Sequence, residues 1–198
     1  MVYHGFKYLV RILFFFVFRI KITGRENIPK SGGFVIVSNH KSNFDPFMVA
    51  FITRRPVHFM AKSELFDTKF KNWLFTEAKT IKVSRGSNDI GAMKKSLSVL
   101  KKGEILGIFP EGTRVKDGSY EGKAKSGAVM LAHRSKVKIL PVSIDANYKL
   151  FSRVNIRVMP MLEIDHYVDQ GLTYEEISDM LMKNIYKWGD NNKKSRNS

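Results

Sequence analysis

The chain reads as an α/β domain, a mainly parallel central sheet flanked by helices, with an N-terminal hydrophobic membrane-associating helix in front of it. Three observations predict this. Short apolar runs of β-branched and aromatic residues recur along the chain, each bounded by Gly, Pro or polar clusters, as buried strands require. Stretches with apolar residues at helical spacing lie between these runs, and strands alternating with helices imply a parallel sheet. The first 22 residues stand apart by packing Phe, Leu and Ile between cations.

Composition agrees with a single domain of ordinary size. The 198 residues are 43% hydrophobic and 26% charged, enough to fill a core and far from the composition of a disordered chain. There is no cysteine, which excludes disulfide frameworks, thiolate nucleophiles and Cys-based metal centres. Lys and Arg number 34 against 18 Asp and Glu, a net charge of +16. Such an excess suits an anionic partner: nucleic acid, an acidic membrane surface or a phosphorylated substrate.

Taken in order, residues 1–22 form the membrane-associating helix. Its uninterrupted apolar run, Ile12 to Phe18, lies between Arg11 and Arg19. At about 1.5 Å per residue the run covers roughly a third of a ~30 Å hydrocarbon core, so it lies in the interface rather than spanning it. His4, Lys7 and Arg11 share one helical stripe and would sit at headgroup level, with Arg19 and Lys21 following. A signal peptide is the competing reading, but no small-residue cleavage site follows; an ordinary core helix is the other. The expected setting is the cell membrane, peripheral or monotopic on its cytoplasmic face.

Residues 23–189 form the domain proper. Strands are expected at Phe34–Ser38, Val57–Met60, Thr80–Val83, Ile105–Phe109, Ile139–Ile144 and Val154–Met159. Helices are expected from Asn88, a candidate cap, to Lys102 with Gly103 as stop, from about Lys125 to His133, and from Thr173 to Trp188, where Thr173 and Glu176 make a capping box. Residues 190–198 form a polar, frayed tail.

In open α/β sheets, ligands gather at the carboxyl ends of the strands, and the unusual residues of this chain fall there. His40 and Asp45 follow the first strand, five residues apart. The carboxylate can accept a hydrogen bond from one ring nitrogen and leave the other as a base, so the pair is the orienting half of a Ser-His-Asp triad whose hydroxyl would come from the substrate. Read blandly, Ser42 or Asp45 would only cap a helix. A second strand runs into Phe109-Pro110-Glu111-Gly112-Thr113-Arg114, which offers a glycine for close backbone approach, a hydroxyl and a guanidinium fork suited to phosphate. Gly107-x4-Gly112-Thr113 has the outline of a P-loop but lacks its Lys. Lys82 and Arg85 end a third strand in a basic cluster. Lys123 and Lys125 precede a helix start at Ser126-Gly127 that would itself favour an anion.

Together these segments resemble the glycerolipid acyltransferase family, most closely its bacterial 1-acylglycerol-3-phosphate branch. Asn39-His40 through Asp45 matches the family's Asn-His-x4-Asp block, and Ile81 to Arg85 resembles its strand ending in Arg. Phe109 to Arg114 reproduces Phe-Pro-Glu-Gly-Thr-Arg unchanged, and Ile139-Leu140-Pro141-Val142 corresponds to its proline-bearing strand. Lys125-Ser126-Gly127 is similar to the family's Lys-x-Gly helix start, although Ala124 stands where an aromatic residue is common. The likeness runs from about residue 20 to 145.

The resemblance implies transfer of an acyl chain from acyl-CoA or acyl-ACP to the sn-2 hydroxyl of lysophosphatidic acid, giving phosphatidic acid. His40 would be the base and Asp45 its partner. Arg114 and Arg85, with Lys82 and Lys125, would hold phosphate; Gly112 and Thr113 would admit it, and Glu111 would hold the loop or a substrate hydroxyl. A backbone N–H near Ser143 or after His40 is the candidate oxyanion donor. No cysteine and no Gly-x-Ser-x-Gly elbow are present, so direct attack is the simpler route. No resident cofactor or metal is expected: His4, His58, His133 and His166 form no ligand set with Asp45. Expected partners are the lipid acceptor, the acyl donor, an anionic membrane surface and, as one possible donor, acyl carrier protein. Another lysophospholipid or glycerol 3-phosphate is the alternative acceptor. The rival from a different class, a basic nucleic-acid binder, would need exposed aromatics interleaved with cations, and no such module is present.

Overall fold

The computed structural model describes residues 2–84, 89–115, 120, 122 and 124–197. Seven strands form one sheet: β1 (Arg19–Thr23), β2 (Phe34–Ser38), β3 (Val57–Lys62), β4 (Ile81–Val83), β5 (Ile105–Ile108), β6 (Ile139–Ala146) and β7 (Arg153–Val158), in spatial order β1-β7-β6-β2-β5-β3-β4. Every pairing is parallel except β6 with β7, which is antiparallel. The helices are α1 (Val2–Val17), α2 (Asp45–Ile52), α3 (Lys69–Glu77), α4 (Ile90–Lys101), α5 (Gly127–Ser135), α6 (Ile164–Asp169) and α7 (Tyr174–Asn197).

The strand β2 lies at the centre, and all five of its residues are buried. Alternate side chains point to opposite faces of a strand. Val35 and Val37 therefore join a core built with α4, α5 and α7, while Phe34 and Ile36 join a second core with α2 and the end of α1. A strand covered on both sides carries apolar residues without alternation, which is why FVIVS is legible in the sequence.

The N-terminal segment departs from the expected single helix over residues 1–22. The helix α1 stops at Val17, where Phe18 turns into the core at 5% exposure, and Arg19–Thr23 then pairs with β7 in parallel register. The alternation of RIKIT, exposed at Arg19, Lys21 and Thr23 and half-buried at Ile20 and Ile22, is the period-two signature of an edge strand. Among the described residues, no helix is long and apolar enough to cross a membrane.

Other boundaries follow local chemistry. Asn88 lies outside the described residues; the cap of α4 is Asp89, whose carboxylate accepts from Ala92 N at 2.9 Å, and Gly103 ends the turn at φ +74°. The capping box of α7 forms: Thr173 N and Oγ1 each donate to Glu176 Oε2 at 2.8 Å, and Glu176 N donates back to Thr173 Oγ1 at 3.3 Å. These bonds pull the Glu176 carboxyl below its usual range. The backbone of α7 continues past Trp188 to Asn197, through the residues expected to fray.

The P-loop outline around Gly107 has a different explanation. Gly107 lies inside β5, and a Cβ there would come within 2.5 Å of the Phe59 ring. It is a packing glycine, under an aromatic side chain from the neighbouring strand.

Candidate active site

The site begins where β2 leaves the core. Asn39, 3% exposed, donates from Nδ2 to Ile144 O and accepts at Oδ1 from Ile144 N, both at 2.8 Å, so its amide extends the pairing of β2 with β6 by one step. His40 comes next and is held from both sides of its peptide unit. Its N–H donates to Glu111 Oε1 at 3.2 Å and its carbonyl accepts from Val115 N at 2.9 Å. The loop after β5 is thereby strapped across the residue that follows β2.

The imidazole of His40 stacks on Phe109, ring centroids 4.3 Å apart, and its Nδ1 lies 3.1 Å from Asp45 Oδ2. Asp45 opens α2 and is 1% exposed. Its Oδ2 also accepts from Lys41 N at 2.6 Å and Ser42 N at 2.7 Å, while Oδ1 accepts from the Tyr148 hydroxyl at 2.5 Å. A buried carboxylate persists only when its lone pairs are occupied. An ionised carboxylate can only accept, so the His40 proton belongs on Nδ1 and Nε2 presents its lone pair. The His40 side chain is 18% exposed, so the ring is not sealed from solvent.

Glu111 is held by the Tyr186 hydroxyl at 2.6 Å in addition to His40 N. Burial pushes its carboxyl above the usual range, against the pull of those two donors, and its Oε2 has no partner among the described residues. Gly112 takes φ +66°, and a Cβ there would lie 3.0 Å from Cε and Nζ of Lys125, whose own N–H donates to Pro110 O at 2.9 Å. Lys125 therefore lies along the glycine, and the adjoining Thr113 and Arg114 are exposed.

The helix α7 holds this loop from behind. Tyr186 stacks on Tyr120 with centroids 5.6 Å apart, and Tyr120 donates to Asp179, which also accepts from Ala124 N at 3.1 Å. Ser178 Oγ donates to Lys125 O at 3.1 Å. Burial beside carboxylates raises the pKa of both tyrosines, which keeps them protonated hydrogen-bond donors.

Of the residues singled out by sequence, His40, Asp45, Glu111, Gly112 and Lys125 come together, and Thr113 and Arg114 lie exposed on the same loop. Lys82 does not join them directly: it lies on β4, three strand positions from β2, with Nζ 5.5 Å over the Phe66 ring. At about 4.8 Å per strand that is a lateral offset of roughly 14 Å. Arg85 and Lys123 lie outside the described residues. Of the oxyanion candidates, the N–H groups of Lys41 and Ser42 after His40 are taken by Asp45, and next to the buried Ser143 the Ile144 N–H is taken by Asn39 Oδ1. Of the other histidines, His58 pairs with Glu104, His133 with Tyr174 and Asp165, and His166 with Gln170. Tyr148, Tyr186 and Asp179 were not signalled by sequence; none stands in a recognisable spacing with the residue it serves.

A histidine held at Nδ1 by a buried carboxylate, next to a glycine- and arginine-bearing loop, is an arrangement that can serve as a general base toward a hydroxyl. The family model for acyltransferases matches residues 19–145, and the chain belongs to that family. It is 30% identical over 181 residues to the 1-acyl-sn-glycerol-3-phosphate acyltransferase of Borreliella burgdorferi, covering 84% of this chain and 72% of that one. It is 34% identical over 125 residues to the protein of the same name from Bacillus subtilis, covering 63% of this chain and 61% of that one. The fold is shared with the crystal structure of the 1-acyl-sn-glycerophosphate (LPA) acyltransferase PlsC from Thermotoga maritima. That match has a TM-score of 0.76 at 24% identity, covering 96% of this chain and 78% of that one.

Proposed function

We propose that the protein transfers an acyl chain from the thioester of acyl-CoA or acyl-ACP to the sn-2 hydroxyl of 1-acyl-sn-glycerol 3-phosphate, producing phosphatidic acid and the free thiol. The observation that carries this reading is the Nδ1 bond of His40 to Asp45, which commits Nε2 to the role of base. Nε2 accepts the hydroxyl proton as the acceptor oxygen bonds to the thioester carbonyl carbon. Collapse of the tetrahedral intermediate expels the thiolate, which takes the proton from the imidazolium. Asp45 holds the tautomer and stabilises the cation between the two steps. A base in this position contributes about 10²- to 10⁴-fold in rate.

The acceptor phosphate is assigned to Arg114 and Lys125, with Gly112 allowing close approach and Thr113 at the rim; Arg85, and Lys82 at longer range, would extend the same positive field. Glu111 ties the loop to His40 and to α7, and its second oxygen is left for a substrate hydroxyl. The donor is a co-substrate rather than a resident group.

The same reading places the protein on the cytoplasmic face of the cell membrane through α1. That helix packs inward by Phe14 against Phe44, Phe47 and Phe51, and turns Leu9, Ile12, Leu13 and Phe16 outward at 56–70% exposure. Exposed Arg19 and Lys21 on β1 would meet anionic headgroups there.

The test is a competition assay on the purified protein in mixed vesicles, with acyl-CoA and acyl-ACP as donors. Lysophosphatidic acid, other lysophospholipids and glycerol 3-phosphate are the competing acceptors. Preferred acylation of lysophosphatidic acid is expected; preference for another acceptor would replace the substrate, and no acylation of any would reject the reaction.

A further inference from the structure

We propose that Tyr148 is a positioning residue for the catalytic pair: its hydroxyl holds Asp45 Oδ1 so that Oδ2 stays aimed at His40 Nδ1, a role that rests on the acyl-transfer reading above. Asp45 has two oxygens to satisfy inside the protein. Oδ2 is committed to His40 and to two backbone N–H groups of the adjoining turn. Oδ1 faces the other way, and the donor that meets it comes from the far side of the site, from the segment after β6. The carboxylate is thus held at both ends, and a rotation that would break the His40 bond must also break the Tyr148 bond.

Three features suit Tyr148 to this task. Its φ is +53°, a backbone region that L residues seldom occupy. Its ring is fixed by Phe18, centroids 5.6 Å apart and near perpendicular, and by Phe44 at 5.3 Å, the residue directly before Asp45. Its hydroxyl remains protonated because burial and the adjacent carboxylate push its ionisation far above the ordinary phenol range.

The charged and titratable groups around the pair come from several elements. His40 and Lys41 belong to the segment after β2, Glu111 to the loop after β5, Tyr186 to α7 and Tyr148 to the segment after β6; α1 packs here through the apolar Val10, Phe14 and Val17, followed by Phe18. Removing the Tyr148 hydroxyl leaves more of the Asp45 charge available to His40, which favours protonated imidazole. It also makes Asp45 itself easier to protonate. Both effects inactivate the base at a higher pH than in the wild type.

The experiment compares full-length wild type, Tyr148→Phe and His40→Ala, using lysophosphatidic acid and acyl-CoA in mixed vesicles across a pH series. Tyr148→Phe keeps both ring contacts, and a cooperative thermal transition confirms that it is folded. Its kcat is expected to fall about tenfold with KM for each substrate within about twofold, and the acid limb of kcat/KM should move to higher pH. A kcat within about twofold of wild type, a loss confined to KM, or an acid limb that does not move each overturns the assignment. Failure of the underlying reading is visible separately, as a wild type that forms no phosphatidic acid or a His40→Ala protein that retains full activity.

Discussion

At the start of α2, Asp45 is 1% exposed and both its oxygens accept hydrogen bonds; on the outer face of α1, Phe15 and Phe16 are 73% and 70% exposed with no core over them. The two regions touch through Phe14, Phe18 and Phe44, so the contrast arises within about one helix diameter. Burying a carboxylate costs several kcal/mol, offset here by Lys41 N, Ser42 N, Tyr148 and His40. Leaving a Phe or Leu in water forgoes about 1.5–3 kcal/mol each. The fold therefore does the costly thing twice, in opposite senses. Water is kept from a charge that would be better solvated, and apolar rings are kept in contact with it. The first suits the chemistry proposed for His40, and the second is the surface that the proposed bilayer contact of α1 would cover.

The largest expected effect tests the buried half of this contrast. Asp45→Asn keeps shape but offers an amide that can donate, so His40 can adopt the wrong tautomer; kcat should fall by about 10²- to 10⁴-fold in steady-state acylation assays. Next comes the exposed half. A Leu13→Ser, Phe16→Ser double variant should lose roughly ten- to a hundredfold in partition onto anionic vesicles by flotation. Its thermal stability should change little, since neither side chain is in the core. A variant that unfolds while binding vesicles normally would reverse the roles assigned to the two regions.

A smaller effect is expected at Gly112, where the left-handed φ and the nearby Lys125 stem resist any Cβ. Gly112→Ala should cost about tenfold in kcat/KM for the acceptor, with little change in KM for the donor. The smallest is a pH effect on stability. The Glu111 carboxyl is raised by burial, so its contribution to stability is fully present below the unfolded carboxyl range and is lost as pH rises through its elevated folded value. Glu111→Gln removes this titration and can keep the bonds from His40 N and Tyr186. The melting temperature of the variant minus that of wild type should therefore grow as pH rises from about 4 toward neutrality. A difference independent of pH would contradict the burial of that carboxyl.

Much of this contrast can be seen in the residues themselves, for local reasons. The buried strand FVIVS, the capping box at Thr173 and Glu176, and the pair His40 and Asp45 are each written in a span of six residues or fewer, so their partners are legible together. RIKIT carries an equally clear period-two pattern, but it adjoins an apolar helix and shares its cations, so in sequence the strand reads as a continuation of the helix. Tyr148 and Tyr186 were silent for a different reason. Each serves a carboxylate 103 and 75 residues away in the chain, respectively, and only the closing of β6 and α7 onto β2 and β5 brings them there. Lys82 shows the converse, a cation well placed in the sequence that the strand order sets at the far edge of the sheet.

The most direct test of the account is the acylation of lysophosphatidic acid by purified His40→Ala beside wild type, in the same vesicles and at saturating donor. Loss of about 10²- to 10⁴-fold in kcat with the protein still folded is the result predicted for a base held by Asp45. Activity equal to wild type would contradict it.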